Sequence, residues 1–69
     1  MEDKQIIKLP QVKELTTFSS ATIYRLISKG EFPKQIKLAE RSSGWLRNEI
    51  DSWLESKIQD REELQEELE

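Results

Sequence analysis

Between Pro10 and Pro33 the sequence leaves room for two short helices and almost nothing between them. Pro10 suits a first helical turn, where its missing N–H costs nothing. "PQVKELTT" then places Val12 and Leu15 three residues apart on one side of a helix. Two β-branched threonines and Phe18 stop that helix from running far. Ser19 is positioned to cap the next one, its hydroxyl taking an otherwise orphan backbone N–H. The second helix is expected to reach about Lys29, with Gly30 in the left-handed stop position and Pro33 blocking a restart. Two helices joined by about three residues form the helix-turn-helix pattern.

After Pro33 the period changes. Ile36 and Leu38 alternate with Gln35 and Lys37, the mark of a strand with one dry face. "AERSSG" is polar and holds a glycine, which suits a hairpin tip spanning Glu40, Arg41, Ser42 and Ser43, and Trp45 opens the returning strand. Asn48 is placed to cap a third helix, with Asp51 at its third position as a weaker form of the capping box. Ile50, Trp53, Leu54 and Ile58 give that helix an apolar stripe. Upstream, "QIIKL" reads as a short strand or an extended lead-in. "DREELQEELE" at the other end is nearly all charge and either extends the helix or frays. The expected architecture is mainly α with a small β-hairpin: three helices plus a wing. It divides into a lead-in over residues 1–8, a winged helix-turn-helix over 9–58 and an acidic extension over 59–69.

At 69 residues the chain makes one domain, near the lower limit for a core without a covalent staple. There is no cysteine and no histidine, so disulfides and thiolate metal sites are excluded and a zinc site would need carboxylates alone. No cofactor, metal or small-molecule ligand is expected. Catalysis would require a nucleophile beside a general base, a pocket of paired carboxylates or a glycine-rich phosphate loop, and the sequence has no such motif. No 18-residue apolar run occurs, and "MEDKQIIKLP" lacks the order of a signal peptide. A soluble, cytoplasmic, nucleoid-associated bacterial protein without membrane contact is the expectation.

The net charge of −3 conceals a division. Residues 1–47 hold nine basic and five acidic side chains, a net +4, while residues 48–69 hold two basic and nine acidic, a net −7. A polyanion responds to the field within about a Debye length, roughly 10 Å, rather than to the sum. An acidic tail directed away from a basic face is therefore compatible with nucleic-acid binding.

Placed on a wheel at about 100° per residue, the second helix gathers Ile23, Leu26 and Ile27 on one side. Opposite lie Ala21, Arg25 and Ser28, flanked by Tyr24 on one hand and by Thr22 and Lys29 on the other. Such a face can be simply solvated. Short side chains beside an arginine also suit the major groove, because the planar fork of Arg25 matches guanine O6 and N7. Ser19, Ser20 and Tyr24 can donate to phosphates, and the helix N-terminus adds its dipole. The hairpin has the same two readings, a solvated turn or a wing. As a wing, Arg41 enters the minor groove, Ser42 and Ser43 hold phosphates, and Glu40 points outward or pairs with Arg41. Lys34, Lys37 and Arg47 then lie along one edge and add attraction independent of sequence. Phe18, Phe32, Trp45 and Trp53 fall on apolar stripes or at element junctions and are assigned to the core, while Tyr24 lies between the dry and wet faces.

"LPQV" opening the first helix, "TIYRLISKGEFPK" through the second and "GWLRNEIDSWL" after the hairpin together resemble the AlpA-like family of small phage and prophage regulators. That family is related to excisionases and to the winged helix-turn-helix region of MerR-type regulators. The resemblance covers about fifty of the 69 residues. It implies a sequence-specific, DNA-binding transcriptional regulator of an integrated element, sometimes acting in excision. Relatives read DNA with the helix matching Ser20–Ser28 and the hairpin matching Gln35–Trp45. Family members often carry a basic residue where this chain has Ser20 and a small hydroxyl residue where it has Ala21, and their "WR" pair is "WLR" here, moving Arg47 one place on. These departures weaken the phosphate grip that the resemblance implies.

Two functions of different class follow as expectations. The first is binding of double-stranded DNA at repeated sites, with an integrase, RNA polymerase or a second copy of the chain as protein partner. The second is a protein-interaction module whose acidic C-terminal helix docks on a basic partner.

Overall fold

The computed structural model describes the backbone of residues 4–68 and side chains from Lys4 to Leu64. Residues 1–3 of the expected lead-in and the final residue of the acidic extension lie outside the described residues. Six elements follow in order: β1 (Ile6–Ile7), α1 (Leu9–Thr16), α2 (Ser20–Ser28), β2 (Ile36–Ala39), β3 (Ser42–Leu46) and α3 (Arg47–Leu68). The architecture is the expected one, three helices with a β-hairpin wing, enlarged by β1 into an antiparallel sheet of order β1-β3-β2.

The turn between α1 and α2 is built by its threonines. Buried Thr16 donates its hydroxyl to the Val12 carbonyl at 2.8 Å and accepts from the Phe18 N–H at 3.3 Å. Thr17 adopts φ 64°, ψ 11°, and its N–H closes the helix on the Lys13 carbonyl at 2.7 Å. That left-handed conformation is unusual for a β-branched residue. Ser19 then caps α2 as expected, accepting from the Thr22 N–H at 3.3 Å. At the far end Gly30 takes φ 74° and Glu31 N–H returns to the Leu26 carbonyl at 2.9 Å, which satisfies the last turn.

Ile7, Val12, Ile23, Phe32, Trp45 and Ile50 form the core, so every element but β2 contributes to it or to the loop that adjoins it. Phe18 and Trp53 pack on its edge, and Phe32 meets Trp53 edge-on at 4.8 Å between centroids. The four aromatics assigned to the core are therefore found there. Five such fully buried apolar side chains stabilise the fold by roughly 1.5–3 kcal/mol each.

Four local expectations are corrected. The hairpin turn is Glu40–Arg41 alone. Ser42 and Ser43 already belong to β3, opposite Ala39 and Lys37, because a register shift between Lys37 and Ala39 tightens the tip. The returning strand accordingly opens at Ser42, three residues before Trp45. Asn48 does not cap α3, since the helix starts at Arg47 directly from the strand and leaves Asn48 inside the first turn. Ile58 leaves the apolar stripe: it is 43% exposed, with no element opposite it among the described residues. The acidic end continues the helix through Leu68.

Candidate nucleic-acid interface

Helix α2 is held by Ile23, which is fully buried, and by Leu26 and Ile27, which pack against the core. This anchoring directs Ala21, Arg25 and Ser28 outward, where all three are exposed. Tyr24 is 43% exposed, in keeping with a ring that spans the dry and wet faces. Ser20 and Thr22 are half-buried beside the N-terminus. Three of the hydroxyls are engaged in local bonds. Ser19 Oγ contacts Thr22 Oγ1 at 3.1 Å, and Ser28 Oγ donates to the Arg25 carbonyl at 2.9 Å. The Arg25 side chain takes part in no ion pair among the described residues, so its fork faces solvent.

An open concavity of about 440 Å³ separates Ile27 of α2 from the hairpin. Lys34, Lys37, Arg41, Ser42 and Ser43 line it, together with Gln35, Ala39 and Glu40. The cross-strand pairing of Lys37 with Ser43 puts a cation and a hydroxyl side by side. Five of the expected site residues thus share one hollow next to α2. Glu40, expected to turn outward or pair with Arg41, lines the same hollow and makes no ion pair with it.

Arg47 is placed elsewhere. Its Nε lies 3.3 Å from Asp51 Oδ1, one turn along α3, and its backbone N–H donates to the Gln5 carbonyl at 2.9 Å. It begins α3 and does not line the concavity. Lys8 is the residue that sequence reasoning missed. Its Nζ donates to Ser42 Oγ at 2.7 Å and to the Ser43 carbonyl at 3.1 Å, so a lysine from the lead-in braces the wing. Ser42 accepts in that bond and keeps its own proton free to donate. The signal was present in "QIIKL", where alternation turns Ile7 inward and Lys8 outward.

The relation between helix and wing is fixed by two indoles. Trp45 Nε1 donates to the Pro33 carbonyl at 3.0 Å and Trp53 Nε1 to the Glu31 carbonyl at 2.9 Å. Buried Phe32 sits between these two anchored carbonyls. Among the described residues the one ion pair is Arg47–Asp51, and Glu49 of α3 shares a second hollow with Lys34. A rigid helix with an unpaired arginine, a cationic hollow beside it and free hydroxyl donors can grip a phosphate backbone while one side chain reaches a base edge.

The family model for the Prophage CP4-57 regulatory protein (AlpA) matches residues 5–58, from the start of the sheet to the middle of α3. The chain is 38% identical over 55 residues to the uncharacterised protein ORF88 of Enterobacteria phage P4, a match covering 80% of this chain and 62% of that protein. It therefore spans about three fifths of that relative's length. It is also 38% identical over 56 residues to the DNA-binding transcriptional activator AlpA of Escherichia coli, covering 72% of this chain and 80% of that one.

Proposed function

The chain belongs to the Prophage CP4-57 regulatory protein (AlpA) family, and from that premise we propose that it is a DNA-binding transcriptional regulator of a prophage or other integrated element. The observation that carries the reading is the pairing of an exposed, unpaired Arg25 on α2 with the cationic hollow of Lys34, Lys37 and Arg41 beside it. In the proposed complex α2 enters the major groove, Arg25 contacts guanine, and Ala21 and Ser28 let the helix backbone come close. Ser20, Thr22 and Tyr24 donate to phosphates near the helix N-terminus, and Ser19, whose proton goes to Thr22 Oγ1, holds that terminus in place. The wing follows the adjacent minor groove with Arg41 at its tip, while Lys34, Lys37, Ser42 and Ser43 hold the backbone. Arg47 sits apart from the hollow, its charge offset by Asp51. An excisionase-type role is part of the same proposal and needs the additional property of bending DNA at the ends of the element.

The proposal places the protein with DNA in the bacterial cytoplasm, and no helix among the described residues is long and apolar enough to cross a membrane. No catalytic role is part of it. The experiment that tests it is selection of bound duplexes from a random pool, followed by titration of the enriched and a scrambled duplex. An enriched motif bound more tightly than the scrambled control is the expected result; no association with either duplex at low salt refutes the reading.

A second reading, docking of the acidic helix on a basic partner such as an integrase or RNA polymerase, is favoured by the exposure of every described side chain from Glu55 onward. Deleting residues 60–69 separates the two. Partner binding by the tail then disappears, while DNA affinity holds or improves through lost repulsion.

A further inference from the structure

Among the described residues no element packs on the outer face of the sheet. Ile7 and Trp45 turn into the core, so the alternate positions Ile6, Gly44 and Leu46 turn outward. Gly44 is the reason this face is continuous. A Cβ built there would lie 2.7 Å from Ile6 Cγ2 and 3.6 Å from Leu38 Cδ1, so the two aliphatic chains close over the buried central glycine. Leu38 remains 46% exposed and Ile6 38%. Lys4 and Lys8 alternate onto the same face of the first strand, and the positions that share it on β2 and β3 carry no carboxylate.

The other unpartnered surface is the distal half of α3. Every described side chain from Glu55 to Leu64 is exposed, including Ile58 and Leu64, the latter at 59%. By sequence, residues 59–69 carry six carboxylates against Arg61 alone. This half of the helix is about 20 Å long, and three strands are about 10 Å wide, so one helix crosses the sheet face. It cannot reach the sheet of its own chain. Helix α3 leaves β3 at Arg47 and runs unbroken to Leu68 with no proline or glycine at which to kink.

We propose that the distal half of α3 of one copy packs across the Ile6–Leu38 face of a second copy, its carboxylates meeting Lys4 and Lys8. The contact joins two different surfaces and is therefore heterologous: each copy offers a free face and a free helix, and copies add head to tail. The interface is at the small end of the range for specific association, so it is weak between free molecules and strengthens between copies held on neighbouring sites. The face lies opposite to the side of Trp45, and the α2 surface stays free for the proposed DNA contact. Self-association stands without that reading; only its consequence for DNA rests on it.

The test uses sedimentation equilibrium of the full chain at low salt with two single variants, Leu38→Asp on the face and Leu64→Asp on the helix. Both side chains are exposed in the monomer, and circular dichroism checks that each variant folds. The native chain is expected to show concentration-dependent association extending beyond a dimer, and each variant alone to stay monomeric. Mixed in equal amounts, the two restore one intact contact, the helix of the Leu38→Asp copy on the face of the Leu64→Asp copy, and give a heterodimer that grows no further. Association of either variant alone, as paired α3 helices would produce, overturns the proposal, as does a native chain that stays monomeric at millimolar concentration or a mixture without heterodimer. On duplexes carrying two adjacent sites, both variants are expected to keep single-site affinity and lose cooperativity. Absence of single-site binding by the native chain counts against the DNA reading and leaves the sedimentation result standing.

Discussion

Trp45 Nε1 donates a 3.0 Å hydrogen bond to the carbonyl of Pro33, twelve residues earlier, and thereby ties the central strand of the sheet to the segment that leaves α2. Trp53 makes the matching bond to Glu31 at 2.9 Å. Within the seven-residue connection from α2 to β2, the stretch Glu31–Pro33 is held at both ends by indoles and in the middle by the buried ring of Phe32. A binding surface made of two elements is only as definite as the angle between them, and this clamp sets that angle.

Trp45→Phe keeps an aromatic ring in the core but leaves the Pro33 carbonyl without its donor and opens space beside it. The expected loss is about 1–3 kcal/mol of unfolding free energy from the unpaired acceptor, with a further cost from the vacated volume. Urea unfolding followed by circular dichroism checks it. A midpoint unchanged from the native chain would mean that the clamp contributes nothing.

Gly44→Ala tests the close crossing of the sheet. Its new Cβ would sit 2.7 Å from Ile6 Cγ2 and 2.9 Å from the Ile7 carbonyl oxygen, and neither the branched carbon nor the backbone can step aside cheaply. Overpacking of this kind costs about 1–3 kcal/mol. The variant is expected to melt several degrees below the native chain in a thermal scan, by about 4–8 °C per kcal/mol for a domain of this size.

Local chemistry and the hairpin itself were legible in the sequence; the register of that hairpin and the pairing of β1 with β3 were not. Ser19, Gly30 and the burial of Ile23 follow from rules that act within one turn of helix, and all three are found as expected. The tip of the hairpin was misplaced because its position depends on the register between Lys37–Ala39 and Ser42–Ser43, which a bulge shifts. Lys8 was overlooked for a similar reason: its partner Ser42 is thirty-four residues away and reached only through the pairing of β1 with β3. Asn48 has the right chemistry for a cap, but β3 feeds straight into α3 and leaves no extended residue for it to occupy. Ile58 satisfies the helical period, yet periodicity says only which side a residue faces and not whether anything lies there.

Thr17 holds a left-handed conformation at φ 64°, which costs a β-branched residue about 1–2 kcal/mol. Glycine removes that strain and adds unfolded-state freedom worth about 0.4–1 kcal/mol. Thr17→Gly is therefore expected to stabilise the protein slightly, by about 0.5–1 kcal/mol. The neighbouring Thr16→Val should do the opposite, because it deletes the donor to the Val12 carbonyl and the acceptor for Phe18 N–H in a buried turn. Comparing the two unfolding midpoints checks the sign of each.

In the proposed complex Arg25 and the wing cations act differently on DNA, and salt separates them. If Lys34, Lys37, Arg41 and one further cation each neutralise a phosphate, the slope of log affinity against log salt is about −3.6, from roughly −0.9 per contact. Lys37→Ala should make that slope shallower by about 0.9 and weaken cognate and random duplexes alike. Arg25→Ala should cost about 1–3 kcal/mol on the cognate duplex, far less on a random one, and relax the preference at a single base pair. Arg25→Lys is the informative control, since it keeps the charge and loses the planar fork that reads O6 and N7 together. Fluorescence anisotropy titrations at several salt concentrations check all three variants. Equal losses on cognate and random DNA for Arg25→Lys would assign Arg25 to the phosphates and move base reading to another residue of α2.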